Sequence, residues 1–459
     1  MNILKPLLYH LFQKYGHGTE FISSKFIVMK HIVRIMILSP YDNEELRSHL
    51  VFKEYNGLLL SVIEKLGLSG KTDSFKDRAP WVGNLIAELE NRPEVEVFSV
   101  SPQIKMREKI VKFKLRRTTY YVYSSDYSSA LRLINNYSLW KFLQNCGMEV
   151  KRIAKEINPD IIILFGTENP VISAPVLSLT DYPVFCICQT VYNNPERTKY
   201  NKPSKLIQQL EMDILHHVDY YGTSNRAYRE MLLKLNPAIS ILNYQWPSMH
   251  FPNMPEQEKC YDFVNFAFTM GLRKGDEDSI KALAVVKQFY PNVTLNITGG
   301  YSNDRKQYLE GLLRELDLEK NVSFTPFFEK HEDMIRHVMH ARFAVLPIKL
   351  DLISTTIKEA MFYKIPVVTN RTKGTPKLNS KQQCVLLSDI GDIESLANNM
   401  LALLQNKSLA ESLKTNAYDY LLDEQKSNVA KVDNLINILT AVYNNKHYHA
   451  PIPDDLYLK

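Results

Sequence analysis

Strand–helix alternation in both halves of the chain predicts an α/β fold of two doubly wound parallel-sheet domains facing a cleft. Short apolar runs recur, separated by segments whose apolar residues fall three and four apart. A proline-rich break divides the alternating blocks. Runs that are apolar throughout suit parallel strands covered on both faces.

The elements follow in order. Residues 33–39 read as a first buried strand closed by Pro40, 81–90 as a helix and 94–100 as the next strand. Residues 111–123 read as a β-hairpin arm, 140–157 as a helix, 160–165 as a strand, 184–188 as another and 227–235 as a helix. Residues 246–255, WPSMHFPNMP, hold three prolines without periodicity, as a linker does. The second block places strands at 264–269, 294–298, 322–325 and 343–346, with helices at 278–289, 304–316 and 331–340. A helix at 354–363, strands at 366–369 and 383–387 and a helix at 393–404 follow, then a last helix at 427–443. The expected division is a peripheral extension 1–28, a first domain 29–245, a second domain 246–425 and a closing helical segment 426–459. Ligands on such sheets bind at the carboxyl ends of the strands. In the first domain that singles out Pro40, Gly166-Thr167-Glu168 and Gln189-Thr190.

Composition narrows the class. The 459 residues suffice for two or three domains of roughly 150 residues each. Apolar content of 45% and charged content of 23% are those of an ordinary globular protein. There is no unbroken apolar run of membrane-spanning length. Five cysteines make no disulfide framework. Cys186 and Cys188 alternate in an apolar strand pattern and read as buried thiols on one face, since no metal-ligand pair lies near. A cytoplasmic setting is the expectation, and no secretory signal is evident at the N-terminus.

The most informative stretch is residues 346–370, LPIKLDLISTTIKEAMFYKIPVVTN. Asp351 and Glu359 lie eight positions apart across a loop–helix junction, with Ser354, Thr355 and Thr356 at the helix start. The first turn of a helix leaves its N–H groups unpaired and carries the positive end of the dipole, so it attracts phosphate. A carboxylate one turn further on accepts hydrogen bonds from hydroxyls. Side by side, the two suit a nucleoside diphosphate sugar. The plainer reading makes Ser354 an ordinary N-cap and Glu359 a solvated helix residue.

This stretch resembles the acidic–seven–Glu motif of glycosyltransferase family 4, retaining enzymes of the two-domain GT-B fold built from Rossmann-like units. Residues 359–368, EAMFYKIPVV, match that family's E-A-M-A-x-G-x-P-V-V, except that Lys364 and Ile365 fill the turn where the family has Gly. Asp351 stands where the family usually has Glu. The resemblance implies that Glu359 holds the ribose, that Asp351 touches the donor sugar, and that Ser354, Thr355 and Thr356 meet the diphosphate. It also implies that Gly271, Arg273 and Lys274, in a compressed Gly-Arg…Lys-Gly pattern, grip the diphosphate and stabilise the leaving charge. Gly299 and Gly300 match a glycine turn near the base. Gly374-Thr375-Pro376 resembles a further loop in which Lys377 replaces Glu. Each short motif also reads as a plain surface turn.

On the acceptor side, Thr167 and Glu168 resemble a Gly-Thr-Glu loop of some members, and Gln189 stands where many carry His. The alternative for Glu168 is a loop-capping carboxylate. Glu211, Asp219 and Ser224 resemble a family signature for which a structural role is expected, with Ser224 capping the next helix. The final helix is implied to pack back on the first domain.

Residues 105–117, KMREKIVKFKLRR, carry seven basic residues and one acid. They suit either anionic lipid headgroups or, as favoured here, a solvated face. Nucleic acid is not expected as a partner. Asp276, Glu277 and Asp278 read as helix-start acids rather than metal ligands, so neither metal nor cofactor is expected. His331, His337 and His340 read as surface residues.

The expected function is transfer of a hexosyl-type sugar from a nucleotide-sugar donor to a hydroxyl of a saccharide or lipid-linked saccharide, in polysaccharide or lipopolysaccharide synthesis. A GT-B-like sugar-nucleotide epimerase and a non-catalytic nucleotide-sugar-binding partner are the alternatives. Met29 immediately precedes a clean strand start. A chain beginning at Met29 is therefore expected to keep full activity, and loss of folding in that truncation would refute the assignment of 1–28 as peripheral.

Overall fold

The computed structural model describes residues 33–53, 77–125, 136–195, 197, 204–350 and 353–459. The first sheet contains β1 (Val33–Leu38), β2 (Val95–Gln103), β3 (Ile110–Leu115), β4 (Thr118–Ser124), β5 (Ile161–Phe165), β6 (Val184–Ile187), β7 (Tyr220–Thr223) and β8 (Ser240–Asn243). Their spatial order is 3-4-2-1-5-6-7-8. Every pairing is parallel except the β3–β4 hairpin. Its longer helices are α1 (Pro80–Glu90), α2 (Asn136–Ile157), α3 (Lys205–His217) and α4 (Arg226–Leu235).

The second sheet contains β9 (Tyr261–Thr269), β10 (Leu295–Gly300), β11 (Val322–Thr325), β12 (Ala341–Leu346), β13 (Val367–Asn370) and β14 (Leu386–Ser388), in the order 11-10-9-12-13-14. All its pairings are parallel. The helices are α5 (Asp276–Lys287), α6 (Asn303–Glu315), α7 (His331–Val338), α8 (Thr355–Phe362), α9 (Ile393–Gln405), α10 (Lys407–Lys426) and α11 (Asn428–Tyr448). Helices α3 and α10 have no counterpart in the sequence reading.

Period-two alternation explains how one strand serves two cores. In β1, Ile35 and Ile37 pack with Val82 and Leu85 of α1, while Met36 and Leu38 face Val150 and Ile153 of α2. In β9, Phe263 faces Ile280 and Leu283 of α5, while Val264 and Phe266 face Ile335 of α7 and Ile357 of α8. Both sheets are therefore covered on both faces, as unbroken apolar strands require.

Helix α11 joins the core of the first domain. Val432, Leu435, Ile438, Leu439 and Val442 are buried there beside Val33 and Leu85, each such side chain contributing about 1.5–3 kcal/mol. At its start the buried Asn428 closes a polar knot on the 246–255 connection. Its Oδ1 accepts from Ser248 N at 2.7 Å, and its Nδ2 donates to Ser248 O at 2.9 Å and Glu88 Oε1 at 2.8 Å. Lys431 Nζ adds a 3.1 Å bond to Ser248 Oγ.

The basic segment is the edge hairpin. Lys112 pairs with Glu156 at 2.7 Å, Arg116 with Glu45 at 3.5 Å, and Arg117 donates to Glu90 O at 2.5 Å. Outward charges on an edge strand discourage pairing with another chain. Ser224 does not cap α4. The cap is Asn225, whose Oδ1 accepts from Tyr228 N at 3.0 Å. Asn accepts the extended cap conformation at this turn, one residue later than the sequence suggested.

Asn428→Ala strands the polar groups of Ser248 in a buried junction. A loss of ~2 kcal/mol is expected, read as a lowered thermal midpoint. An unchanged midpoint would show that the knot does not hold the connection.

Candidate functional site

The strand order of the second sheet reverses between β9 and β12, so the loops leaving these neighbours diverge and leave a crevice at their carboxyl ends. The β9 loop carries Gly271, Arg273 and Lys274, and the β12 loop leads through Pro347 to Ser354 and α8. Gly275 brings the two together. It has φ +72°, and a Cβ there would lie 2.2 Å from Pro347 O, so only glycine fits this approach. Two links flank the junction. Lys349 N donates to Arg273 O at 3.0 Å, and Lys349 Nζ pairs with Asp278 at 2.8 Å. Gly271 has φ +148° with open space before it, and Gly299 has the same φ with its missing Cβ against Ala267 O. Gly300, beside it, ends β10.

Lys274 Nζ reaches Ser354 Oγ at 3.4 Å, and Ser354 Oγ meets Thr356 Oγ1 at 2.8 Å. Ser354 occupies the N-cap position of α8, yet its side chain makes no capping bond to the helix. The helix start thus combines its dipole, two hydroxyls and one ammonium. Thr355 opens the helix beside them. The plain N-cap reading of Ser354 does not describe this geometry.

One turn on, Glu359 is 2% exposed. Its Oε1 lies 3.0 Å from His331 Nε2 at the start of α7, and its Oε2 is buried with no hydrogen-bond partner. The solvated-residue reading of Glu359 is thereby overturned. His331, its side chain 39% exposed, keeps the surface position the sequence suggested but turns its ring onto this buried carboxylate. Burial alone would lower the His331 imidazole, but the bond to Glu359 and its charge, then Asp77 and Glu332, hold it above its ordinary value. His337 is half-buried and bonds Asn296 Oδ1 at 3.0 Å. Nothing in the sequence linked His331 to Glu359. The one available signal was its position just past a strand carboxyl end.

Asp351 lies outside the described residues. The acids at the start of α5 are already engaged. Asp276 meets Arg305 Nη2 at 2.5 Å, Glu277 meets Lys281 at 2.8 Å, and Asp278 meets Lys349. They serve as helix-start acids with cationic partners.

In the first domain the corresponding reversal falls between β1 and β5. Glu211 ties the loops after β5 and β6 together. Its carboxylate accepts from Thr167 Oγ1 and Tyr192 N at 2.8 Å and from Asn193 N at 2.7 Å. The Thr167 hydroxyl is thus engaged internally. Glu168 folds back over Gly166, whose missing Cβ would fall 2.1 Å from Glu168 Oε2. That oxygen and Gln189 Nε2 are buried without partners. The adjoining cavity, lined by Cys186, Cys188, Thr190 and Tyr221, measures ≈ 10 Å³, far below the roughly 300 Å³ of a small-molecule site. It is an interior gap.

Comparison with known proteins follows the same division. Residues 256–420 match the family described as Glycosyl transferases group 1. A 2-deoxystreptamine N-acetyl-D-glucosaminyltransferase of Niallia circulans is 23% identical over 110 residues, which cover 24% of this chain and 28% of that protein. Sucrose-phosphate synthase of Thermosynechococcus elongatus superposes with a TM-score of 0.63 at 15% identity, over 89% of this chain and 99% of that one. Anabaena HepE in complex with UDP and glucose gives a TM-score of 0.56 at 13% identity, over 90% and 100%. The architecture is GT-B: two doubly wound sheets, with the group 1 glycosyltransferase match over the second. This chain spans little more than a quarter of the curated relative it matches.

Burial, then the charge of Glu211, pushes the Glu168 carboxyl up to about 7 from 4.5. The folded form keeps its proton while the unfolded form releases it, so stability is greatest below 4.5 and falls as pH rises to about 7. Glu168→Gln is expected to flatten this fall by up to ~3 kcal/mol in denaturant titrations across that window. An unaltered slope would locate the titration elsewhere.

Proposed function

We propose that the chain is a glycosyltransferase that moves a hexosyl unit from a nucleotide-sugar donor to a hydroxyl of a saccharide or lipid-linked saccharide. The observation that carries this reading is the meeting of Lys274 with Ser354 at the uncapped start of α8, one turn before the buried, half-partnered Glu359. An anion site and a hydroxyl acceptor share one crevice. HepE, of the same fold, holds UDP and glucose. The match over 256–420 covers the strands and helices that build this crevice.

The diphosphate lies against the helix start with Lys274 beside it and Arg273 on the same turn. As the bond from the anomeric carbon to phosphate oxygen breaks, negative charge builds on the leaving diphosphate. Fixed cations and amide dipoles stabilise it without reorganising. These protein charges take the part a divalent cation would otherwise play. Asp351 touches the sugar in this reading, and Gly299-Gly300 lets the backbone approach the base.

The acceptor enters from the first domain near Glu168 and Gln189. Gln189 cannot take a proton. The acceptor hydroxyl therefore passes its proton to the departing phosphate oxygen as its own oxygen bonds to the anomeric carbon. Attack on the same face gives retention. Polysaccharide or lipopolysaccharide synthesis is the proposed setting, with the acceptor's lipid end in an anionic membrane near the 105–117 hairpin.

Thermal-shift measurement against UDP-, GDP-, ADP- and dTDP-sugars is expected to give stabilisation by at least one. Lys274→Ala should weaken binding of that donor about tenfold, for loss of one charge-assisted contact. Donor turnover should vanish in Glu359→Ala, and NMR of the products should show a glycoside rather than an epimerised donor. No stabilisation by any of the four would refute the reading.

A further inference from the structure

The crevice contains one ion pair whose purpose the proposed reaction leaves open. Glu359 is 2% exposed and ends in two inequivalent oxygens: Oε1 lies against His331 Nε2 at 3.0 Å, and Oε2 is buried with no partner. Leaving half of a buried carboxylate unsatisfied is costly in a folded chain, and such a group calls for an explanation. The terminal torsion of Glu is broad and roughly two-fold, so an unheld carboxylate swings easily. A donor fixed on one oxygen removes that freedom and sets where the other points.

We propose that His331 is a positioning residue: by holding Oε1 it presents Oε2 of Glu359 to a hydroxyl of the donor's pentose. The inference rests on the nucleotide-sugar reading above and deepens it, since that reading assigns His331 no part. The two side chains come from different elements. His331 opens α7, which follows β11, and Glu359 lies inside α8, which follows β12. Their meeting is a tertiary contact and not a consequence of helix spacing.

Charge makes the arrangement pH-dependent. The groups that act on His331 are Glu359 of α8, Asp77 ahead of α1 and Glu332 on its own helix. Tyr363, at the end of α8, also feels Glu359 and Glu332. Lys330, beside His331, is engaged by Glu44 at 3.2 Å. The carboxylates of Glu359, Asp77 and Glu332 favour its protonated form. The charge-assisted part of the bond is complete below the ordinary value of 6.5 and is lost as pH rises through the raised folded value, leaving a neutral N–H to hold Oε1. An imidazolium also suits an anionic donor better than a neutral ring.

The test compares UDP, GDP and ADP with their 2′,3′-dideoxy analogues by calorimetry on the whole chain, carrying forward the best-binding base. In the unmodified protein, removal of the pentose hydroxyls is expected to weaken binding about tenfold, as for a lost hydrogen bond to a charged group. In His331→Ala that penalty should shrink to about twofold or less, since the hydroxyls then meet an undirected carboxylate. His331→Gln keeps an N–H at similar reach but cannot ionise. It should restore most of the penalty and lose the pH dependence of donor KM, with kcat nearly unchanged. It also shows that the site is folded if His331→Ala is not.

Equal losses for both analogues in His331→Ala, or tighter binding than in the unmodified protein, would overturn the proposal. So would a wild-type donor KM that does not rise with pH. Failure of all three nucleotides to bind the unmodified protein would instead sink the nucleotide-sugar reading itself, and this inference with it.

Discussion

The structure of the crevice depends on one close approach, that of Gly275 to Pro347. Two parallel strands side by side, β9 and β12, send their loops to opposite sides of the sheet. Such loops would ordinarily separate. A residue in the left-handed region with no Cβ lets the β9 turn sit against the β12 carbonyl, and the Lys349–Asp278 pair holds the far side. Any side chain at position 275 would force the loops apart and withdraw Lys274 from the start of α8. The ammonium, the hydroxyls and the helix dipole act together only because this contact exists.

The two domains use their strand-order reversals differently. In the second, the reversal opens onto groups whose bonding capacity is partly unmet: an uncapped helix start and a half-partnered glutamate. In the first, Glu211 draws the loops after β5 and β6 together with four hydrogen-bonded contacts from Thr167, Tyr192 and Asn193. Satisfied polar groups stiffen a loop, whereas unsatisfied ones invite a ligand. Glu168 and Gln189 keep buried unpartnered atoms in the first domain too, so what sets the second apart is the meeting of ammonium, hydroxyls and helix start within one crevice, where the group 1 glycosyltransferase match lies.

Much of the fold was legible because buried parallel strands write a mostly apolar signature. DIIILF and the FVNFAF of β9 are of that kind, and each became a central strand with two buried faces. Helices α3 and α10 escaped, the second because its sequence, KSLAESLKTNAYDYLLDEQK, buries only Ala410, Leu413, Ala417 and Leu421 and so shows a thin apolar stripe. The cap of α4 was misplaced by one residue because Ser224 and Asn225 are both good caps, and only backbone conformation chooses between them.

The chain by itself determined which segments alternate, where the carboxyl ends of the strands fall, and that Ser354 to Glu359 make a helix start followed one turn later by an acid. Those are local properties, set by period and by the chemistry of neighbouring residues. Tertiary structure alone decided that Lys274 would meet Ser354 across 80 positions of chain, and that Glu359 would be buried against His331 rather than solvated. Such pairings depend on strand order and crossover hand, which no local pattern encodes. The same holds for Thr167, whose hydroxyl looks available in the sequence and is engaged by Glu211 in the fold.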